Sequence, residues 1–174
     1  MRGLIATAAT LLTAGTLAAQ AQESARTEWG NFNFNRDLGR TSGAVAGPAD
    51  SVHRVLLKTL DDLGLKIKDD QTAPRQIAMV RHRLVRRLGK TTLSRYFSCG
   101  QGLTGPNADT WYVYLNFHSR IAAGGPDKSQ INLEITADAV DVPGGRNDRV
   151  ACATTGNLEL AIIERMRAAF PGET

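Results

Sequence analysis

The sequence predicts an α+β fold in which an antiparallel sheet of four to five strands carries an N-terminal and a C-terminal helix packed on one face. Three observations lead there. Residues 50–63 place Val52, Val55, Leu56, Thr59, Leu60 and Leu63 on one side of a helix, the spacing of an amphipathic element. Residues 111–118 and 131–139 instead alternate: Trp111, Val113, Leu115 and Phe117 oppose Tyr112, Tyr114, Asn116 and His118, while Ile131, Leu133, Ile135, Ala137 and Ala139 oppose polar neighbours. Such strands bury one face and wet the other. Residues 156–170 return to the helical period through Leu158, Ala161, Ile162, Met166, Ala169 and Phe170.

In chain order, Met1-Arg2 is followed by a short apolar run, Leu4 to Ala19, and by Ala19-Gln20-Ala21. That is the pattern of a signal peptide cut after residue 21. Thr7, Thr10, Thr13 and Thr16 dilute the run, which falls short of the roughly 20 apolar residues of a membrane-spanning helix. The first cysteine is Cys99, so no lipid-bearing cysteine stands at the cut. The expected location is therefore periplasmic or secreted. The net charge is +4, and the leader removes one basic residue and no acid, leaving a mildly basic chain.

Residues 22–47 read as a flexible N-terminal segment, because Gly30, Gly39, Gly43 and Gly47 punctuate polar sequence without sustained hydrophobic period. Removing it is expected to leave the fold intact. Within it, Trp29-Gly-Asn-Phe-Asn-Phe-Asn35 alternates aromatic and Asn, which admits either an edge strand or a linker. Residues 48–171 form the single α+β domain. Asp50 is placed to cap the first helix and Gly64 to end it. Leu65, Ile67 and Asp69 alternate against Lys66, Lys68 and Asp70 as a short strand, a turn follows at Thr72-Ala-Pro74, and residues 76–86 and 91–98 read as a hairpin across Arg87-Leu-Gly-Lys90. The basic stretch can also be drawn as a helix. Turn-rich loops at 122–127 and 143–148 separate the later strands. Thr155 caps the last helix and Pro171-Gly172 stop it.

Cys99 and Cys152 are the only cysteines, and in an exported chain they are expected to pair. The loop-entropy model assigns such a bridge roughly 4 kcal/mol. Motifs for chemistry fail one by one. Leu88-Gly-Lys-Thr-Thr-Leu93 ends like a phosphate-binding loop, but Leu84 stands where that motif needs glycine, so no nucleotide is expected. His53, His82 and His118 lack metal-ligand spacing. No GxSxG elbow occurs. No catalytic residue, metal or cofactor is assigned.

Two stretches stand out for binding. Between Asp70 and Asp109 no acid occurs, while Arg75, Arg81, Arg83, Arg86, Arg87, Lys90 and Arg95 fall within it. Such single-sign density focuses potential; arginines also blunt a sheet edge. The loop Cys99 to Asp109 is rich in glycine and offers Thr104, Asn107 and Asp109 as hydrogen-bonding groups, or is a tight turn pinned by its cysteine.

Leu93 to Trp111, together with Cys152-Ala-Thr-Thr-Gly-Asn-Leu-Glu159, resembles a small family of bacterial exported proteins of unknown function. With the first helix, the resemblance covers most of residues 48–170. The helix–strands–helix order is similar, in topology alone, to helix-grip domains of the lipoprotein that assists outer-membrane β-barrel assembly. Neither resemblance implies a catalytic residue. The expectation is a non-enzymatic binding or interaction module of the envelope. Arg81, Arg83, Arg86, Arg87, Lys90 and Arg95 would meet an anionic envelope component or another envelope protein. The alternative is a small-ligand or lipid carrier with a pocket between helices and sheet, rimmed by Tyr112, Tyr114 and His118.

Overall fold

The computed structural model describes residues 26–29, 32–35, 39–68, 71–142 and 145–171. The expected leader lies outside them. Strands β1 (Arg26–Trp29), β2 (Phe32–Asn35) and β3 (Arg40–Ala46) come first, then helix α1 (Ala49–Leu63). The two-residue β4 (Thr72–Ala73) leads into β5 (Gln76–Val85), and a corner built from β6 (Arg87–Leu88) and β7 (Thr91–Thr92) follows. A 3-10 turn at Leu93–Arg95, β8 (Phe97–Ser98), β9 (Gln101–Gly102), β10 (Gly105–Pro106) and the short helix α2 (Asn107–Thr110) connect to the long β11 (Tyr112–Gly125) and β12 (Lys128–Val140). β13 (Arg149–Thr154) and α3 (Asn157–Ala169) close the chain.

The fold is α+β with an antiparallel sheet, as expected, but the main sheet gathers eleven strands among the described residues rather than four or five. Nor are both helices terminal flanks of the sheet. Three strands precede α1, and α2 is a third helix. Three of the additional strands lie in residues 26–46, expected to be a flexible segment, and the sheet also takes in β13 and the two-residue β4, β6, β7 and β8. β1, β2 and β3 form a meander, and β3 pairs with β12 from Lys128↔Ala46 to Glu134↔Arg40. Phe32 and Phe34 are 2% and 3% exposed. A strand needs only every second residue to be buried, so Phe-Asn-Phe-Asn sufficed.

Beyond Glu134, β3 gives way to β13, which takes the same edge of β12 from Ala137↔Cys152 to Val140↔Arg149. Gly39 makes the changeover. Its φ is +58°, its carbonyl accepts the Ile135 N–H at 2.8 Å, and a Cβ there would collide with the Ile135 carbonyl oxygen.

One face of the sheet is the core. Ile77 and Met79 (β5), Val113, Leu115, Phe117 and Ile121 (β11), and Ile131, Leu133 and Ile135 (β12) meet Val52, Leu56 and Leu60 of α1 and Leu158, Ile162, Ile163 and Met166 of α3. α1 packs on β11 and β12, and α3 packs on α1 and β3. Gly64 ends α1 at φ +95°, as its position predicted. Asp50 does not cap the helix. Pro48 holds the N-cap position, and Asp50 in the first turn is bound by Arg75 at 2.8 and 3.2 Å.

Leu65 to Lys68 do not form a strand, and residues 91–98 do not pair with 76–86; Thr91 and Thr92 pair instead with Leu88 and Arg87, which were expected to be the turn. Beyond them Leu93, Tyr96 and Phe97 all turn into the core, which no period-two strand allows. Cys99 and Cys152 are bridged. Among the described residues, no helix is long and apolar enough to cross a membrane.

Candidate functional site

The face of the sheet opposite the helices is open. β5 would lose its alternation halfway, since Ile77 and Met79 point inward but so does Leu84. A bulge corrects the phase. Between Leu115↔His82 and Phe117↔Met79 the register slips, Arg81 adopts φ +52°, and its N–H donates to Asn116 Oδ1 at 2.9 Å. Asn116 in turn donates to Thr136 Oγ1 at 3.3 Å. The extra residue puts Arg81 and Arg83 on the open face together.

Both guanidinium groups lie over tyrosines of β11. Arg81 Cζ is 4.4 Å from the Tyr114 ring centre and Arg83 Cζ 5.2 Å from that of Tyr112. Each contact contributes about 0.5–1 kcal/mol at an exposed site and holds the guanidinium in one orientation. Across the sheet, Asp138 accepts from Arg149 at 2.8 and 3.1 Å and lies 3.6 Å from Arg81. Its carboxylate raises the Arg149 pKa above the ordinary value, chiefly through that hydrogen bond.

Further along, a groove of about 610 Å³ crosses four strands. Its floor is the backbone of Thr41, Leu133, Ser119 and Ile77, whose register aligns them in one row. Outward residues on either side make its walls. Arg40, Glu134, His118 and Ala78 form one, and Ser42, Asn132, Arg120 and Gln76 form the other. Arg40 is paired with Glu134 at 3.2 Å. Arg120 has no acidic partner among the described residues.

The basic residues expected to act together are dispersed. Arg81 and Arg83 lie on this face, with Arg87 in register opposite Val85 at its edge. Arg86, at φ +60°, Arg87 and Lys90 belong to the corner whose Gly89 packs against the carboxyl end of α1, and Arg87 donates to the Lys90 carbonyl at 3.4 Å. Arg95 sits at the start of α3, where its carbonyl accepts from Thr155 at 2.7 Å and Asn157 at 2.8 Å. Sequence reasoning missed Arg40, Arg120 and Arg149, which lie far from the basic run and reach the face only through strand register.

The loop residues divide as well. Asn107 is 6% exposed and donates to the Cys99 carbonyl at 3.1 Å, and Asp109 accepts the Ser94 N–H at 2.8 Å. These contacts close the loop, while the buried Asn107 Oδ1 meets no partner among the described residues. Thr104 stays exposed beside Leu103, the most exposed large apolar residue described.

Tyr112, Tyr114 and His118 do not rim a pocket between helices and sheet. They belong to the open face, on the side of the sheet away from the core side chains that meet the helices. No family model matches the chain, and no curated protein and no solved structure matches it either.

Proposed function

We propose that the chain is an exported, non-enzymatic binding module of the bacterial envelope that holds an anionic partner on its open sheet face. One observation carries this reading. Among the described residues that face bears Arg40, Arg81, Arg83, Arg120, Lys128 and Arg149 against Glu134 and Asp138. Two of its guanidinium groups are stacked on tyrosine. Stacked in this way, Arg83 keeps its N–H edges free for carboxylate or phosphate and loses less rotamer freedom on binding, whereas Arg81 also faces Asp138. The surplus of positive charge attracts an anion before contact.

The test is retention of the mature protein on a heparin column. Replacing Arg83 and Arg120 together by Ser should move elution to clearly lower salt, because exposed contacts of this kind are screened over about 8–10 Å. The melting temperature should stay within a degree or two, since exposed charges contribute little to stability. Elution of the native protein with a neutral protein of equal size would remove the reading.

A further inference from the structure

We infer that the cross-strand groove is a binding site for a carboxylated oligosaccharide, a short run of uronate-type sugar rings, and this rests on the anion-binding reading above. The geometry limits the ligand. Four strands at about 4.8 Å spacing make the groove about 14 Å long, and walls two residues apart along each strand stand about 7 Å from one another. Its floor is sheet backbone that β11 and β12 have already hydrogen-bonded on both edges, so an extended peptide cannot add to it as a strand. The tyrosines lie beyond the groove with arginines over them. Among the described residues His118 is then the one ring a base would meet inside it, too few for a run of stacked bases.

The walls instead present the tips of Ser42, Gln76, His118 and Asn132. These are donors and acceptors, suited to a ligand with hydroxyl groups along both edges. Ala78 leaves its wall low where a ring can tilt in. Arg120 supplies one guanidinium free of any described acid, the partner of one carboxylate. The same face already gathers a carboxylate in this way, since Arg149 and Arg81 converge on Asp138.

The experiment is calorimetric titration of the mature protein with three probes. These are a galacturonate tetramer, a glutamate tetrapeptide of equal charge, and vesicles containing phosphatidylglycerol. The galacturonate should bind about tenfold tighter than the peptide, the difference that one or two hydrogen bonds make. Asn132→Ala and Gln76→Ala together should weaken galacturonate about three- to tenfold and leave the affinity for the glutamate tetrapeptide unchanged. Both side chains are exposed, so a melting curve should show the variant folded. Equal affinity for the two oligomers, indifference to the paired substitution, or binding to vesicles alone would overturn the saccharide site while heparin retention still upheld the basic face. Failure on heparin as well would overturn both.

Discussion

Glu159 is the residue whose environment departs furthest from what its type prefers. It lies in the first turn of α3 with 0% of its surface exposed. Its Oε1 accepts from Thr154 Oγ1 at 2.6 Å, and Thr154 Oγ1 accepts the Gly156 N–H at 3.2 Å. Oε2 meets no partner among the described residues. Burial raises the pKa of this carboxyl, with the Thr154 hydrogen bond opposing the rise. An acid whose folded value is raised binds its proton more tightly when folded. Its contribution is therefore complete below the unfolded value and is lost as pH rises through the folded one. Each unit between the two values corresponds to about 1.4 kcal/mol. Glu159→Gln should therefore gain stability relative to the native chain as pH climbs from the ordinary glutamate range toward neutrality, read from urea midpoints at successive pH. Parallel pH curves would show that Glu159 does not titrate there. Sequence reasoning passed over this residue because an acid at a helix start is ordinarily a solvated partner of the dipole.

At the scale of elements, β5 and the first three strands show what periodicity reveals and what it hides. β11, β12, α1 and α3 were legible because each buries a long, regular stripe. The β5 bulge was not, since its signal is a phase error in the pattern, and it depends on Asn116 from the neighbouring strand. Arg81 at φ +52° predicts its own test. Asparagine, which tolerates that conformation, should be accepted, whereas valine should cost about 1–2 kcal/mol, measured by urea unfolding. The N-terminal strands were illegible for another reason. β3 turns only Thr41, Gly43 and Val45 inward, too little apolar area to announce a strand, and its order comes from pairing with β12. Phe32 carries the burial there, with Arg167 of α3 lying 5.4 Å from its ring centre. Phe32→Ala should then cost about 3–5 kcal/mol. A loss below about 1 kcal/mol would mean that the meander is dispensable.

The whole molecule divides its labour between two sheet faces, and the disulfide shows the consequence. The helices cover one face and supply the core; the open face carries charge and spends little of the stability. Cys99 follows β8 and Cys152 lies within β13, so the bridge ties the loop of residues 99–111 to the strand that bears Arg149. β13 is otherwise held by its pairs with the end of β12 and by two pairs with β8. Closing a loop with a sequence separation of 53 restricts the unfolded chain by about 4 kcal/mol in the loop-entropy model. That is a large part of the roughly 5–15 kcal/mol that stabilises a domain. The native chain should accordingly show no free thiol when denatured without reductant. Replacing both cysteines by serine should lower the unfolding free energy by about 4 kcal/mol, measured in urea. The groove is built from β3, β5, β11 and β12, which the bridge does not join. Galacturonate binding by the serine variant should therefore persist at temperatures where it remains folded. Loss of binding without unfolding would mean that β13 and its Arg149 govern the open face, and that the two faces are not independent.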